Sequence, residues 1–344
     1  IHHGTGHLYQ CAGARRRSQP KTPLFRLRRL DRTAPFYSGI LSGNHMENLH
    51  TALDYLRYAA SEFARHDIYY GHGTDNALDE AAALVLGILR LPFDLQPLYL
   101  QTRLTQAEKE ALAVAIDKRV TQRIPVPYLS KRTLYGGYEF YIDERALIPR
   151  SPIAELIERD LQPYWQGGEP QRILDLCCGS GCIGMLAKYR YPQAEVLLSD
   201  INADALAVAE INLARADMSS YGIETVQSDL FSGLSGEFDW ILCNPPYVEE
   251  AEMQEIAAEF LHEPRLALTS GADGLDLSRK ILAQAADYLS ENGVLILEVG
   301  MSWQNLEAAY PEIGFDWIEF ERGGEGVLAV SRDELLAWRE AGLL

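Results

Sequence analysis

The chain of 344 residues carries a formal net charge of −18, and 47% of its residues are hydrophobic. This length is enough for two domains with a substantial core, and the composition is that of an ordinary soluble protein. The charge is uneven, because residues 1–45 hold eight Lys or Arg and one Asp, whereas the rest holds 23 basic and 48 acidic residues. Bare nucleic acid would repel such an acidic body, which suits a basic protein partner; solubility alone is the alternative explanation of the charge.

Neither a membrane segment nor a disulfide framework is predicted. No apolar run approaches the roughly 18 residues that a membrane span requires, and no apolar core of a secretory signal is evident. The odd number of cysteines favours free thiols and a cytoplasmic location. The cysteines are Cys11, Cys177, Cys178, Cys182 and Cys243. A metal site is not predicted, because glycines and a helix start explain the spacing of the crowded cysteines.

Residues 1–45 show no sustained hydrophobic period. They are interpreted as a disordered leader or as sequence derived from cloning, ahead of a start at Met46. From Glu47 onward, apolar residues recur at steps of three and four, which predicts a first helix. These residues are Leu49, Leu53, Leu56, Ala60 and Phe63.

Two further helices are predicted before residue 126. One runs from about Ala77 to Leu89, and the other opens with the capping box Thr105-x-x-Glu108 and ends near residue 123. Residues 46–126 are therefore predicted to form a helical domain, for which substrate recognition is the hypothesis and a structural role the alternative. His72 is expected at the surface.

Residues 127–150 are predicted to form a linker that contains a β-hairpin. Aromatic residues between Thr133 and Ile142 favour strands, and Gly136-Gly137 provides the turn. The stretch Pro149-Arg150-Ser151-Pro152 follows, and its prolines predict a rigid connection with a helix starting near Pro152. The second domain is placed at residues 151–344.

The second domain opens with the pattern of a nucleotide site. An apolar strand, residues 172–177, meets the segment Cys178-Gly179-Ser180-Gly181, and a helix follows. Gly179 and Gly181 allow the backbone to approach a ligand closely. The segment lacks the Lys and Ser/Thr of a phosphate-binding loop. Asp175 further argues for a cationic rather than a phosphate ligand.

The next strands are each predicted to deliver polar groups to the same edge of a sheet. The strand at 196–199 ends in Asp200, placed to bind ribose hydroxyls, and the strand at 223–227 leads to Asp229 and Leu230, suited to an adenine ring. A helix at 277–289 and strands at 293–298, 315–320 and 327–331 complete the chain. The closing hairpin resembles the methyltransferase form of the doubly wound α/β fold.

The fourth strand, residues 238–243, delivers the stretch Asn244-Pro245-Pro246-Tyr247. The prolines make this loop stiff, because neither can extend a strand. The Asn244 side-chain oxygen and the Pro245 carbonyl can together accept both hydrogens of a planar NH2 group, and Tyr247 offers a flat face for stacking. We expect the Asn244 oxygen to face the crevice.

These motifs together resemble the class I S-adenosylmethionine-dependent methyltransferases that modify amide or exocyclic amine nitrogen. The helical domain, the hairpin and the stretch from Leu147 to Glu155 are similar to those of the protein-glutamine N5-methyltransferases. Release-factor enzymes of that group usually read Pro-Arg-Pro-Asp-Thr-Glu, whereas the form Ser151-Pro152-Ile153 resembles the branch that methylates the third protein of the large ribosomal subunit. Cys177-Cys178 departs from the pattern, since many relatives have Gly and a small residue there.

The resemblance implies S-adenosyl-L-methionine as the cofactor. It also implies a large-subunit ribosomal protein, free or in an assembling ribosome, as the substrate, with nucleic acid involved only indirectly. Cofactor-binding residues are predicted to be Asp175, Cys177, Cys178, Gly179, Ser180, Gly181, Asp200, Ile201, Asp229, Leu230 and Asn244. Catalytic residues are predicted to be Asn244, Pro245, Pro246 and Tyr247. The alternatives are glutamine methylation of release factors, adenine methylation of nucleic acid, and a non-catalytic binding module.

Overall fold

A computed structural model describes residues 46–218 and 221–344. The predicted leader, residues 1–45, lies outside the described residues. The described chain begins with helices whose apolar faces share one core. They are α1 (Ala52–Arg65), α2 (Ala77–Ile88), α3 (Gln106–Thr121) and the short α4 (Val126–Ser130). The three predicted helices of this region are thus confirmed.

The start of α1 was predicted wrongly at Glu47. The helix begins at Ala52 because Thr51 and Asp54 form a capping box, in which the Asp54 N–H donates to Thr51 Oγ1 at 3.1 Å and the Thr51 N–H donates to Asp54 Oδ2 at 2.9 Å. Leu53, expected on the apolar face, is 44% exposed. The Thr105–Glu108 capping box of α3 is present as predicted.

The predicted hairpin is confirmed as β1 (Thr133–Tyr135) and β2 (Tyr138–Phe140), which pair antiparallel. Gly136 and Gly137 form the turn with φ angles of 55° and 81°, a conformation that glycine adopts without strain. On the far side of the turn, the Tyr138 ring stacks on Tyr189 at 4.1 Å between centroids. This contact ties the hairpin to the second half of the chain.

The second half alternates strands and helices around one seven-stranded sheet in the order β5-β4-β3-β6-β7-β9-β8. Strands β3 to β7 run parallel, and β9 pairs antiparallel with both β7 and β8. The elements are α5 (Ile153–Glu158), β3 (Arg172–Leu176), α6 (Cys182–Arg190), β4 (Glu195–Asp200), α7 (Ala203–Arg215), β5 (Ile223–Gln227), β6 (Phe238–Cys243), α8 (Asp276–Gln284), β7 (Leu289–Glu298), α9 (Trp303–Ala309), β8 (Asp316–Trp317), β9 (Val327–Ser331) and α10 (Arg332–Glu340). The predicted doubly wound fold with a closing antiparallel hairpin is confirmed.

Sheet register brings the predicted ligand-binding segments together. Leu176 at the end of β3 is the partner of Ser199 in β4 and of Cys243 in β6. The residues that follow these strands therefore meet at one edge of the sheet. The chain reverses direction across the sheet between β3 and β6, which is where ligands bind in open α/β sheets.

Several elements in the last third differ from the prediction. Strand β7 begins at Leu289 rather than residue 293, β8 covers only Asp316–Trp317 rather than 315–320, and α9 was not predicted. Helix α8 ends at Gln284 rather than residue 289, because the Phe238 N–H donates to the Tyr288 carbonyl at 2.8 Å and draws this segment into the sheet. Helix α10 was not predicted, although the Ser331–Glu334 capping box that starts it is visible in the sequence.

Candidate active site

A cleft lies at the carboxyl ends of β3, β4 and β6, and the space among its lining residues is about 790 Å³, which includes solvent at its open mouth. Seven predicted cofactor-binding residues line it, namely Cys177, Gly179, Asp200, Ile201, Asp229, Leu230 and Asn244. Four predicted ones are not among its lining residues, namely Asp175, Cys178, Ser180 and Gly181.

Distant segments complete the walls of the cleft. Arg145 and Leu147 come from the stretch between the hairpin and α5, and Leu266 comes from the loop after β6. Sequence reasoning missed these residues, together with Ala146, Leu176, Ser199, Asn202, Ala205, Ser228, Ala267 and Leu277.

Burial raises the pKa of Asp143, but its hydrogen bonds with Arg145 and Tyr141 outweigh burial and lower the pKa to about 2. Asp143 therefore stays ionised and holds the Arg145 guanidinium in place.

Asp200 connects the glycine turn to the end of β4. Its Oδ2 accepts from the Gly179 N–H at 2.9 Å, and its Oδ1 accepts from the Asn202 N–H at 2.8 Å. Burial raises the pKa of Asp200, although these N–H groups oppose the rise. A carboxylate has about four acceptor positions, so these contacts leave acceptor capacity for a ligand hydroxyl.

The glycine turn allows α6 to lie directly on the sheet. A side chain at Gly181 would bring its Cβ to 2.9 Å from Leu198 Cδ1, and one at Gly184 would overlap Leu198 and Asp175. Gly181 also has φ at 77°, which favours glycine. The turn therefore sets how closely the start of α6 approaches the cleft.

Cys177 adopts the conformation that a glycine would be expected to have. Its φ angle is 60°, in the left-handed region that side chains disfavour. Many relatives have Gly at this position, and the backbone at Cys177 keeps the positive φ angle that a glycine adopts readily. The cysteine side chain is therefore accommodated at a cost in strain.

Asp175 is fully buried, and its Oδ2 accepts from the Gly184 N–H at 2.7 Å. Its Oδ1 is buried without a hydrogen-bond partner among the described residues. Burial raises the pKa of Asp175 to about 8. This carboxyl group joins β3 to α6, and its predicted role as a cofactor ligand stays a prediction.

The loop after β5 forms a second rigid border of the cleft. The Ser228 hydroxyl donates to the Leu230 carbonyl at 2.7 Å and accepts from the Gly233 N–H at 2.9 Å. Asp229 is exposed and Leu230 is buried. An acidic and an apolar group thus stand side by side at the cleft.

Asn244 and Pro246 line the cleft, whereas Pro245 and Tyr247 are not among its lining residues. The Asn244 Oδ1 atom is buried and has no hydrogen-bond partner among the described residues. The expected orientation, with this oxygen facing the crevice, is therefore not the one found. Rotation of the Asn244 carboxamide by 180° would exchange the positions of its oxygen and nitrogen. In the observed orientation, the buried and unpaired oxygen costs about 1–3 kcal/mol of folding free energy.

Tyr247 is held at both its backbone and its ring. Its carbonyl accepts from the Ser302 hydroxyl at 2.7 Å, and its Oη donates to Glu298 Oε1 at 3.1 Å. Burial raises the pKa of Tyr247 well above its usual range, and the nearby carboxylate of Glu298 adds to the rise. The phenol therefore stays protonated and its ring position is fixed.

The loop after the Asn-Pro-Pro-Tyr stretch is tied to the linker by a buried ion pair. Arg150 donates to Glu263 Oε1 at 2.7 Å and to Oε2 at 3.0 Å, and the Ile148 N–H donates to Glu263 Oε1 at 3.0 Å. His72, expected at the surface, is only 4% exposed, and its Nε2 lies 3.5 Å from Glu263 Oε2. Glu263 thus joins the helical region, the linker and the loop.

Arg119, a fully buried arginine, makes a parallel connection. Arg119 of α3 donates to Glu80 of α2 at 2.7 Å and to Glu259 at 3.3 Å. Glu259 also accepts from the Tyr69 N–H at 3.1 Å. The helical region and the loop after β6 therefore meet through paired charges that are shielded from water.

Among the residues that the structure describes, no three or more His, Cys, Asp or Glu side chains are grouped so as to hold a metal ion. Within the same residues, no helix is long and apolar enough to cross a membrane. The four described cysteines are free thiols.

Comparison with known proteins identifies the family. The profile of the methyltransferase small domain matches residues 160–274. Two curated relatives from Neisseria meningitidis serogroups A and B, each called ribosomal protein uL3 glutamine methyltransferase, are 43% identical over 302 residues, covering 86% of this chain and 98% of theirs. The chain belongs to the ribosomal protein uL3 glutamine methyltransferase family. This confirms the branch that the stretch Ser151-Pro152-Ile153 indicated.

Two solved structures of lower identity match part of the chain. A methyltransferase from Pyrococcus furiosus matches 57% of this chain and 89% of its own, with 17% identity and a TM-score of 0.42. A ribosomal protein L11 methylase from Lactobacillus delbrueckii subsp. bulgaricus matches 52% and 75%, with 24% identity and a TM-score of 0.34.

Proposed function

We propose that this chain transfers a methyl group from S-adenosyl-L-methionine to the side-chain amide nitrogen, N5, of a glutamine in ribosomal protein uL3. Membership of the uL3 glutamine methyltransferase family and the placement of Asn244 at the cofactor cleft support this activity. The observation that carries the site assignment is the position of Asn244 directly after β6, among the residues that line the cleft. Its carboxamide can offer an acceptor to a substrate NH2 group once its oxygen is turned toward the cleft.

The cleft fits the proposed cofactor. Asp200 keeps acceptor positions for ribose hydroxyls, and Asp229 with Leu230 offers an acidic and an apolar group beside them. Gly179 leaves the backbone open at the turn, since a Cβ there would meet nothing within 4 Å. When bound, S-adenosyl-L-methionine supplies a methyl carbon activated by its sulfonium group. Asp175 remains a proposed support of the cofactor site through its hydrogen bond to the Gly184 N–H, because a pKa of about 8 leaves its carboxyl group mostly neutral at pH 7.

The protein's task is to hold and aim a poorly nucleophilic nitrogen. Asn244 Oδ1, turned toward the cleft, and the Pro245 carbonyl would accept the two amide hydrogens of the glutamine. No hydrogen bond to the Pro245 carbonyl is present among the described residues. Fixing the carboxamide in this way converts a bimolecular encounter into an oriented one, which is the main source of acceleration.

A strong base is not needed in this proposal. The proton leaves the amide nitrogen as the new carbon–nitrogen bond completes, and it passes to water in the open cleft. Tyr247 does not accept it, because its phenol stays protonated and a neutral phenol is a very weak base. Tyr247 instead packs against the amide plane from a fixed position.

The acidic body supports a basic protein as the partner. Residues outside 1–45 hold 23 basic and 48 acidic side chains, which would attract a basic ribosomal protein and repel RNA. We further propose that residues 46–126 recognise the substrate, that residues 127–150 link them to the methyltransferase domain at 151–344, and that the protein acts in the cytoplasm. Free cysteines support the last point.

The test compares three acceptors with labelled S-adenosyl-L-methionine. Purified uL3, its variant with the target Gln replaced by Ala, and a peptide-chain release factor are incubated side by side. The proposal expects label in uL3 alone, removed by the Gln→Ala replacement. Labelling of the release factor at a comparable rate, or label that survives the replacement, would refute the assignment.

A further inference from the structure

A chain of hydrogen bonds runs from the linker to the Asn-Pro-Pro-Tyr loop. The Ser151 hydroxyl donates to Glu298 Oε2 at 2.6 Å, and Tyr247 Oη donates to Glu298 Oε1 at 3.1 Å. Ser151 Oγ also accepts from the Ile153 N–H at 3.2 Å, which orients its hydroxyl hydrogen toward Glu298. The Glu298 carboxylate is thus held from both of its oxygens.

At the other end of this chain, the ring of Tyr247 lies directly against the backbone of Gly300. A Cβ on Gly300 would overlap the ring atoms Cε2 and Cζ of Tyr247, and Gly300 itself has φ at 49°. A Cβ on Gly326 would overlap the Gly300 carbonyl, so the glycine-rich stretch before β9 sets the position of Gly300. Backbone and hydroxyl contacts therefore place the ring from two sides.

Burial of the Glu298 carboxylate carries a desolvation cost, so the position must benefit from a charged acceptor. Glu298 is 5% exposed, and burial raises its pKa, although Ser151, Tyr247 and Arg150 oppose the rise. An apolar residue of similar size would avoid the desolvation cost. A carboxylate, however, gives the phenol a strong and directional acceptor, which an apolar residue cannot.

We propose that Ser151 and Glu298 are positioning residues, which act on glutamine methylation by fixing the Tyr247 phenol through this hydrogen-bond chain. The inference rests on the proposed function, because it assigns Tyr247 to the amide site. Ser151 does not touch the substrate in this account. Its removal loosens Glu298, and the loosened Glu298 lets the ring depart from the position that aims the carboxamide.

The experiment is a double-mutant cycle of Ser151→Ala and Tyr247→Phe, assayed by methyl transfer to uL3. Each single variant is expected to lower kcat about tenfold, since small misplacements of a reacting group are costly. The double variant is expected to be no slower than Tyr247→Phe alone. Once the Tyr247 hydroxyl is removed, Glu298 no longer holds the ring, so the loss of Ser151 has no further effect on it. KM for uL3 and the cofactor Kd are expected to change less than about twofold.

Two further variants separate positioning from folding. Ser151→Thr keeps a hydroxyl and is expected to restore most of the lost kcat. Ser130→Ala removes another buried hydroxyl, which donates to the Val126 carbonyl at 3.0 Å in α4, and is expected to leave kcat unchanged. An unchanged kcat in Ser151→Ala would overturn the proposal. An additional tenfold loss from Ser151→Ala in the Tyr247→Phe background would also overturn it.

Urea unfolding tests the hydrogen-bond chain without substrate. It is measured on the unmodified protein, the two single variants and the double variant. The shifts of the midpoint are expected to be non-additive, because Ser151 and Tyr247 share Glu298. Additive shifts of the urea midpoint would contradict the proposed hydrogen-bond chain from Ser151 to Tyr247. A third outcome is possible, in which the urea midpoints are non-additive but the unmodified protein does not methylate uL3. That outcome would refute the proposed function and leave the hydrogen-bond chain standing.

Discussion

Replacing Glu263 by Gln should remove a large part of the stability of the protein at neutral pH. The Glu263 side chain is fully buried against Arg150, His72 and the Ile148 N–H. Burial raises its pKa, but Arg150 foremost and His72 next outweigh burial and lower the pKa from the ordinary 4.5 to about 2. A difference of this size corresponds to about 3 kcal/mol.

The pH window follows from the direction of this change. A carboxyl group whose pKa is lowered by folding contributes its full stabilisation above about pH 4.5, and the contribution is lost as pH falls toward 2. Urea unfolding at pH 7 should therefore show Glu263→Gln to be about 3 kcal/mol less stable than the unmodified protein. The difference should shrink progressively at pH 4, 3.5 and 3.

A matched control comes from the same loop. Glu252 is half-buried, and burial followed by the charges of Glu249 and Glu255 raises its pKa, the opposite direction to Glu263. Glu252→Gln should change stability by less than about 0.5 kcal/mol at pH 7. Equal stability of Glu263→Gln and the unmodified protein at pH 7, or a difference that persists unchanged to pH 3, would refute the reasoning.

Three other substitutions test local geometry. Cys177→Gly should raise the unfolding free energy by about 0.5–1 kcal/mol in urea, because φ at 60° strains a side chain; a loss of stability would contradict this. Gly326→Ala should lower the thermal midpoint, since its Cβ would overlap the Gly300 carbonyl, and an unchanged midpoint would argue against that contact. Asp200→Asn should weaken binding of S-adenosyl-L-methionine by about 10- to 100-fold in calorimetry, and an unchanged Kd would exclude Asp200 as the ribose ligand.

Local signals in the sequence placed strands β3 to β6 to within one residue, and they placed the glycine turn. The strands at 223–227 and 238–243 have the bounds that their apolar runs predicted, and the capping box at Thr105 placed the start of α3. These features depend on neighbouring residues alone. Signals at the Thr51 and Ser331 capping boxes were present and overlooked, which shifted the start of α1 and left out α10.

Features that depend on tertiary contacts were not predictable from one sequence. His72 is buried because Glu263, some 190 residues later, lies beside it. Leu266 reaches the cleft only because its loop folds back over the sheet edge, and periodicity gives no sign of that. The Asn244 Oδ1 atom is buried without a hydrogen-bond partner among the described residues, and nothing in the local sequence predicts that.

The most direct test of the account measures Asn244→Ala in two assays on one preparation. We expect the Kd for S-adenosyl-L-methionine to stay close to that of the unmodified protein, while methyl transfer to uL3 falls by about 10²- to 10³-fold. Methyl transfer near the unmodified rate would contradict the claim that Asn244 holds and aims the glutamine amide.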